Sequence, residues 1–209
     1  MICSYMDVSE LSSPALMADA LKSLPWPERR EKVRRYRFAK DQRLCLGAGL
    51  LAEHMLREAG ATNLTLAYTE HGKPYLPHHP SIHFNLSHSG TWAVCAVGDV
   101  PVGVDVETVH DHGTAVAEYC LQAEELAWLE QAPDRALAFT RLWVRKESYI
   151  KLTGTGLSRE PRSFAVLPEK RLLTKAEFTE FDMGDALICV CMHDKREVVL
   201  TKWSPLEAR

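Results

Sequence analysis

The segment of residues 101–107 constrains the fold most, because it reads Pro-Val-Gly-Val-Asp-Val-Glu and its side chains alternate strictly. Successive side chains of a β-strand point to opposite faces, so the three valines would lie on one face. Gly103, Asp105 and Glu107 would then lie on the other face. The alternation therefore predicts a strand with an apolar, core-facing side and a side that carries two carboxylates.

The carboxylate-bearing face of this strand has two interpretations. Asp105 and Glu107 would have Cα atoms about 6.6 Å apart at the usual rise of a strand, where two charges repel by at most about 2.5 kcal/mol. Gly103 leaves room for another group to approach the backbone, and carboxylate oxygens on a rigid strand suit a hard cation such as magnesium. On its own, however, the segment is more typical of a solvated polar face than of a metal site.

The composition is that of an ordinary globular protein. The 209 residues suit one large domain or two small ones, and hydrophobic and charged fractions of 46% and 25% argue against a disordered chain. The net charge of −3 gives no general reason to expect nucleic acid as a partner. Basic residues are nonetheless concentrated in residues 29–43, which predicts a local anion-binding surface.

The sequence predicts a cytoplasmic protein without a membrane segment. No basic-then-apolar signal pattern is present at the N-terminus, and no apolar run approaches the roughly 18 residues that a membrane span needs. The six cysteines form no Cys-x-x-Cys pair, which argues against structural zinc and thioredoxin-like chemistry. We therefore expect buried, reduced thiols in a cytosolic protein.

Helical and strand periodicities occur together in both halves of the chain. Strands are predicted at residues 2–8, 64–68, 82–86, 91–97, 163–167, 177–181, 187–192 and 198–203. Helices are predicted from residue 25 through the basic run, and at residues 41–59, 114–131 (one or two helices) and 134–153. A turn at residues 98–99 would join the strand at 91–97 to residues 101–107 as a hairpin. The expected fold class is α+β, with the pattern occurring twice although no sequence repeat is visible.

Two glycine-bearing turns carry groups that suit phosphate oxygens. The Gly-Lys-Pro turn at residues 72–74 is, by itself, most simply a turn with a solvated lysine. The Ser-His-Ser-Gly segment at residues 87–90 offers an imidazole and two hydroxyls at a strand end. Such a segment is as typical of a hydrogen-bonded turn as of a binding site.

The last predicted helix carries a charged pair with two interpretations. Glu147 and Lys151 are i,i+4 neighbours. The simplest interpretation is an intrahelical ion pair, worth about 0.3–0.5 kcal/mol. Alternatively, Glu147 adds a third carboxylate to Asp105 and Glu107, and Lys151 faces a phosphate. Lys146 projects toward the apolar stripe, where an unpaired ammonium is costly, and this favours buried anionic groups. An acidic trio with fixed cations describes a metal-assisted phosphoryl-transfer site.

Taken together and in order, these motifs resemble those of the Sfp-type 4'-phosphopantetheinyl transferases. The resemblance covers about residues 25–160, and the combination of motifs is specific although no single one is. The matching blocks are GKP at 72–74, FNLSHS at 84–89, VGVDVE at 102–107, WVRKESYIK at 143–151 and the basic segment at 27–36.

The resemblance implies an intramolecular pseudodimer of two similar α/β halves, with coenzyme A and magnesium bound between them. Residues 1–100 would form the N-terminal half with the coenzyme A nucleotide contacts, and residues 101–209 the C-terminal half with the magnesium and catalytic residues. The implied enzyme is a cytoplasmic monomer of the holo-[acyl-carrier-protein] synthase type. It would move the 4'-phosphopantetheine arm of coenzyme A to a serine of an apo acyl or peptidyl carrier protein and release adenosine 3',5'-bisphosphate. Neither nucleic acid nor membrane is an expected partner.

The resemblance also implies roles for particular residues. The magnesium ligands would be Asp105, Glu107 and Glu147. The catalytic residues would be Glu147 with Lys151 and His88, of which the last two contact phosphates. The coenzyme-binding residues would be Arg29, Lys32, Arg43, Lys73, Pro74, Ser87, His88, Ser89, Asp105 and Lys151.

Two of these implied roles have alternatives. Glu147 is the candidate general base, taking the serine proton directly or through a metal-bound water. Glu107 would bind the ion directly or through water. Arg29 stands where a lysine is common in the family, which keeps the charge but changes the geometry.

Two other functions are compatible with the residues. A metal-dependent phosphodiesterase or nuclease would use the same carboxylates, but it would need an extended basic surface, whereas the basic residues here cluster in one segment. A non-catalytic carrier-protein-binding module would leave the carboxylates incidental. The carrier itself is not specified, so fatty-acid, polyketide, siderophore and peptide-synthetase carriers stay open. By analogy with the family, residues 111–122 are expected to help receive it.

Overall fold

The computed structural model describes residues 1–156, 159–168 and 175–206. The helices are α1 (Pro14–Ser23), α2 (Pro27–Arg35), α3 (Ala39–Glu58), α4 (Gly113–Cys120), α5 (Ala123–Glu130) and α6 (Arg135–Thr153). The strands are β1 (Ile2–Asp7), β2 (Ala67–Tyr68), β3 (Pro74–Tyr75), β4 (His83–Ser89), β5 (Trp92–Gly98), β6 (Gly103–Thr108), β7 (Glu177–Asp182), β8 (Ala186–Met192) and β9 (Val199–Lys202). In the described part of the chain, no helix is long and apolar enough to cross a membrane.

Both halves of the chain repeat one topology. In the first half β1 leads through helices to the antiparallel pair β4–β5, and β5 also pairs antiparallel with β1. In the second half β6 leads through helices to the antiparallel pair β7–β8, and β8 also pairs antiparallel with β6. The strand orders β4-β5-β1 and β7-β8-β6 are therefore equivalent. The predicted α+β fold of two similar halves is confirmed.

The two sheets pack face to face between two long helices. Helix α3 packs on the outer side of the first sheet, and α6 packs on the outer side of the second. Between the sheets, Val102, Val104 and Val106 pack with Val94 and Ala96 of β5. The three valines therefore form the predicted core-facing side of β6, and the carboxylate-bearing side faces α6.

The last strand returns to the first half of the molecule. Residues Val199–Lys202 form β9, which pairs in parallel with β1 at the edge of the first sheet. Trp203 then packs on the core of the first half. The C-terminal end of the chain therefore lies on the sheet that contains the N-terminus, and the division at residues 1–100 and 101–209 stays a prediction.

The predicted hairpin between β5 and β6 is wrong. Strand β5 lies between β4 and β1, so both of its edges already carry hydrogen-bonded partners. Strand β6 pairs instead with β8, with Asp105 opposite Cys189. The short turn after residue 98 thus carries the chain from one sheet to the other.

The strand predicted at residues 163–167 is also wrong. The chain there begins with a short 3₁₀ turn at Pro161–Ser163 and continues without a strand partner within the described residues. Side chains form hydrogen bonds to backbone groups that would pair with a neighbouring strand in a sheet. The Val166 amide donates to Glu125 Oε1 at 2.7 Å, and Arg145 Nη1 donates to the Val166 carbonyl at 3.0 Å.

Helix α6 has the ends that its sequence predicts. Asp134 caps the start, since its carboxylate accepts a hydrogen bond from the Leu137 amide at 2.9 Å. Gly154 ends the helix in the left-handed region at φ 68°, where a glycine is favoured. Phe139 and Leu142 are among the buried residues of its apolar stripe. These ends fix which residues of α6 lie beside β6.

Candidate active site

The seam between the two halves is a ladder of polar side chains that reach from β4 to β6. Asn85 Oδ1 accepts a hydrogen bond from a backbone amide of β6 at 2.9 Å. Ser87 Oγ donates to Asp105 Oδ1 at 2.7 Å, and Ser89 Oγ donates to Glu107. The ladder follows the two-residue period of a strand. The predicted polar face of β6 is therefore partnered by β4 and is not simply solvated.

Gly103 lets helix α6 lie directly on β6. A Cβ atom at this position would overlap the Ser148 carbonyl oxygen and the backbone of Leu152. Because these are backbone atoms of a helix, they could not move aside without shifting α6. The room predicted beside Gly103 is thus occupied by α6, which brings Glu147 and Lys151 to the carboxylates of β6.

The ammonium group of Lys151 joins α6 to both strands of the seam. Lys151 Nζ donates to Asp105 Oδ1 at 2.6 Å and to Ser87 Oγ at 2.8 Å. Among the described residues, the ion pair of Lys151 is with Asp105 and not with Glu147. The simple intrahelical pair is therefore not formed, and a cation, a hydroxyl and a carboxylate from three elements meet at one point.

Glu147 lies among like charges. Burial raises the pKa of its carboxyl, and the nearby carboxylates of Asp105 and Glu107 raise it further, while Lys151 partly offsets them. The three predicted acidic residues thus lie close enough to interact, and a cation among them would relieve their mutual repulsion.

The acidic residues suit a hard divalent cation in their chemistry. Asp105 is buried, and its Oδ2 has no hydrogen-bond partner among the described residues, which leaves a carboxylate oxygen available. Oxygen donors of this kind are the ligands that magnesium prefers. Within the described ranges no three acidic, histidine or cysteine side chains form a group that could hold a metal ion. The donor chemistry of Asp105 suits the ion, while Lys151 holds its other oxygen, and the magnesium site stays a prediction.

His88 lies near cations that come from two helices, α2 and α6. Desolvation lowers the pKa of its imidazole, and the charges of Lys151, Arg29 and Lys32 lower it further. These effects favour the neutral imidazole, which can donate or accept a hydrogen bond. The cations around it make this side of the seam attractive to anions.

The remaining predicted cations lie on α2 and α3. Lys32 is exposed on α2, and Arg29 Nη1 donates to the Cys45 carbonyl oxygen at 3.0 Å, which fixes its side chain against α3. Arg43 is half-buried near the start of α3. These positions form the basic surface that the composition of residues 29–43 predicts.

A cavity of about 240 Å³ opens beside the seam and is lined by both halves. Lys73 and Pro74 contribute from the first half, together with Asn85 of β4. Glu147 and Lys151 contribute from α6. The cavity is thus continuous with the side chains that surround Asp105.

Comparison with known proteins identifies the family. Residues 101–201 match the model of the 4'-phosphopantetheinyl transferase superfamily, and residues 12–99 match the model of the 4'-phosphopantetheinyl transferase N-terminal region. The 4'-phosphopantetheinyl transferase ffp of Bacillus subtilis is 35% identical over 153 residues, which cover 71% of this chain and 68% of that protein. The chain belongs to the 4'-phosphopantetheinyl transferase superfamily.

Other members of this superfamily are similar over a shorter fraction of their length. The 4'-phosphopantetheinyl transferase psf-1 of Bacillus pumilus is 42% identical over 142 residues, 66% of this chain and 61% of that protein. Sfp of Bacillus subtilis (strain 168) is 35% identical over 145 residues, 67% of this chain and 65% of that protein. The chain thus spans a little less than two thirds of the length of these two relatives. The resemblance stated from the motifs is confirmed.

The predicted site residues fall into three groups in this phosphopantetheinyl transferase fold. Those at the junction of β4, β6 and α6 are Ser87, Ser89, Asp105, Glu107, Glu147 and Lys151. Those on the basic side are Arg29, Lys32, Arg43 and His88, and those on the cavity wall are Lys73 and Pro74. The ligand that each one would contact stays a prediction.

Two residues of this region were not among the predicted site residues. Asn85 holds β6 to β4, and its signal was the two-residue spacing from Ser87 and Ser89. Glu125 is the partner of Lys146, with Nζ and Oε2 2.8 Å apart and both side chains 0% exposed. The buried ammonium predicted an acidic partner, but nothing in its spacing pointed to a residue on another helix.

Proposed function

We propose that this chain catalyses the magnesium-dependent transfer of the 4'-phosphopantetheine arm of coenzyme A to a serine hydroxyl of an apo acyl or peptidyl carrier protein. Adenosine 3',5'-bisphosphate would be released. The observation that carries the proposal is the convergence of Lys151, Ser87 and Asp105, which come from one helix and from strands of different halves. Membership of the superfamily supports this class of reaction.

Coenzyme A would lie across the seam, because its anionic groups need cations from both halves. Arg29, Lys32 and Arg43 come from the first half and suit the 3'-phosphate. Lys151 comes from α6 and, with the neutral imidazole of His88, suits the pyrophosphate. The coenzyme would thus bridge the two halves.

The nucleotide would be lined by residues of the first half. Ser87 and Ser89 offer hydroxyls beside the pyrophosphate, and Lys73 with Pro74 forms the cavity wall. This arrangement leaves Asp105 facing the phosphates from β6.

Asp105, Glu107 and Glu147 would hold the magnesium ion. Support comes from the unpartnered Oδ2 of Asp105 and from the crowding of negative charge at Glu147. When bound, such an ion withdraws charge from the phosphate oxygens that it contacts. The chain's own cations, among them Lys151, would add to this stabilisation.

The transfer breaks a phosphoanhydride bond of the pyrophosphate and forms a phosphoester bond to serine. The serine oxygen attacks the phosphorus next to the pantetheine, and the bond from that phosphorus to the bridging oxygen breaks. Adenosine 3',5'-bisphosphate leaves with the electron pair, and Lys151 would stabilise its developing charge. Glu147 would take the serine proton, because α6 holds its carboxylate at the cavity wall.

The carrier protein would dock at residues 111–122, beside the site. Helix α4 in this segment exposes two apolar side chains, Val116 at 42% and Tyr119 at 68%. Exposed apolar groups of this kind are typical of interaction surfaces. The serine of a carrier bound there would approach from the side of the second half.

We also propose that the protein acts as a cytoplasmic monomer. All six cysteines are free and buried, which suits a reducing compartment. Burial raises the pKa of Cys3 and Cys189 to about 12, so these thiols are unreactive at neutral pH.

The proposal is tested by incubating the protein with coenzyme A, magnesium and an apo carrier protein and measuring the intact mass of the carrier. We expect the mass to rise by one phosphopantetheine group, and chelation of the metal to abolish the rise. Carriers from fatty-acid, polyketide, siderophore and peptide synthesis should be compared, because the sequence does not specify the carrier. An unmodified carrier together with cleavage of a nucleic acid or phosphodiester substrate would favour the nuclease alternative. Carrier binding without modification would favour a binding module.

A further inference from the structure

The ammonium group of Lys73 contacts only backbone carbonyl groups within the described residues. Its Nζ donates to the carbonyl oxygens of Lys151 at 2.6 Å, Val102 at 3.0 Å and Leu152 at 3.1 Å. An ammonium group has three donors, and these three acceptors use all of them. Burial lowers the pKa of Lys73 to about 8, as expected for a desolvated ammonium without a carboxylate partner.

The three carbonyl groups belong to the two elements that carry the candidate catalytic residues. Those of Lys151 and Leu152 lie in the last turn of α6, where helix carbonyls lack intrahelical partners and the helix dipole is negative. That of Val102 immediately precedes β6, three residues before Asp105. Lys73 itself comes from the turn into β3 in the first half. One side chain of the first half therefore connects the end of α6 to the start of β6.

This connection bears on the junction at Asp105. Lys151 supplies both a carbonyl to Lys73 and an ammonium to Asp105, so the position of its backbone sets the reach of its side chain. A misplacement of about 1 Å at a reacting group can lower a rate on the order of 100-fold. A small movement of α6 after loss of the Lys73 contact would therefore lower the reaction rate.

We propose that Lys73 is a positioning residue, whose ammonium holds the last turn of α6 against β6 so that Lys151 and Asp105 meet. The inference rests on the proposed transferase function and deepens it. It also gives the Lys73 side chain a role that differs from a contact with the coenzyme, because its three donors are already used. A coenzyme contact would act on binding, whereas a positioning contact acts on turnover.

Lys73→Met tests the proposal, because it keeps an unbranched side chain of the length of the lysine stem and removes the ammonium. We expect kcat for carrier modification to fall about 10- to 100-fold, with KM for coenzyme A changed less than about twofold. Lys22→Met, at an exposed lysine of α1 outside the site, should leave both constants unchanged. A rise in KM with an unchanged kcat would overturn the proposal and assign the side chain to the coenzyme.

Chemical rescue separates the charge from the space that the side chain fills. Lys73→Cys can be alkylated with 2-bromoethylamine, which restores an ammonium at the length of lysine, or with iodoacetamide, which adds a neutral amide. The native cysteines are buried, and intact mass of the treated wild type should show no addition. We expect kcat to recover with the aminoethyl group only. Equal recovery with both groups would show that volume and not charge matters, and would contradict the proposal.

Hydrogen exchange gives a readout that does not need transferase activity. In Lys73→Met, amides of the last turn of α6 should exchange faster than in the wild type, and aminoethylation of Lys73→Cys should restore their protection. Unchanged exchange would refute the positioning role. If the wild type transfers nothing, the proposed function fails, and hydrogen exchange still decides whether Lys73 holds α6.

Discussion

Lys73, Lys146 and Lys151 have the same side chain but meet different acceptors. Lys151 pairs with Asp105 at the seam, Lys146 pairs with Glu125 in the core, and Lys73 binds carbonyl groups. Each environment fixes what removal of the charge would disturb. We expect its removal to abolish catalysis at Lys151, to lower stability at Lys146 and to disturb positioning at Lys73.

Glu147→Gln should separate coenzyme binding from transfer. The amide keeps the size of the side chain but cannot accept the serine proton, so transfer should fall by at least about 100-fold. Calorimetry with coenzyme A should give a Kd close to that of the wild type, and single-turnover mass spectrometry should report the transfer rate.

An exposed acid provides the control for this substitution. Glu130→Gln at the end of α5 should leave both coenzyme binding and the transfer rate unchanged. Full transfer by Glu147→Gln would reject Glu147 as the base.

At the scale of elements, a buried polar network ties α6 to α5 and to residues 161–166. Lys146 Nζ donates to the Pro161 carbonyl at 2.9 Å and to that of Phe164, besides its pair with Glu125. Glu125 in turn accepts from the Gln122 amide at 2.8 Å. The network holds the end of the proposed docking segment to the helix that carries Glu147.

Removal of Lys146 alone should be strongly destabilising. Lys146→Met leaves Glu125 buried without a countercharge, which typically costs about 3–5 kcal/mol. We expect a loss of this size in the free energy of unfolding, measured by urea denaturation. The double variant Lys146→Met with Glu125→Gln should regain part of it, because no unpaired charge is then buried.

An exposed ion pair is the comparison for this buried one. Arg196→Met breaks the surface pair with Asp99 and should cost no more than about 1 kcal/mol. A loss for Lys146→Met as small as that for Arg196→Met would contradict the structural role of the buried pair.

Local sequence patterns predicted the individual helices and strands better than they predicted which elements pack or pair with one another. The alternation at residues 101–107 predicted the two faces of β6, and Asp134 with Gly154 predicted the ends of α6. The partner of β6 was mispredicted, because pairing with β8 depends on residues 78 to 88 positions away in the sequence. The same limit applies to Lys151, since its local partner Glu147 was visible and its actual partner Asp105 lies on another element.

At the scale of the whole molecule, the site depends on contacts between halves. Hydrogen bonds run from the first half to the second at Ser87 and Ser89. The carbonyl contacts of Lys73 also join the two halves. The motifs indicated which residues would belong to the site. Their geometry could not be predicted from the sequence, because the packing of the two halves sets it.

The pH dependence of stability should report the burial of Lys73. Its pKa falls from 10.5 to about 8 on folding, so between these values the unfolded state binds more protons than the native state. The free energy of unfolding should therefore rise with pH across this window, by at most about 3 kcal/mol relative to Lys73→Met.

Urea denaturation of both proteins from pH 7 to pH 11 checks this expectation. Taking the difference between them cancels the titration of other groups. The free energy of unfolding of the wild type minus that of Lys73→Met should be constant below about pH 8. It should rise between about pH 8 and pH 10.5 and be constant again above that. A difference that falls with pH would mean that folding favours the charged form.

The most direct test of the account is the mass of an apo carrier protein after incubation with coenzyme A, magnesium and either the wild type or Asp105→Asn. Asp105 is the point where β4, β6 and α6 meet, and the amide cannot replace its charge. We predict one phosphopantetheine group on the carrier with the wild type and none with Asp105→Asn, although circular dichroism shows both folded. Equal modification by the two proteins, or no modification by the wild type of any carrier class, would contradict the account.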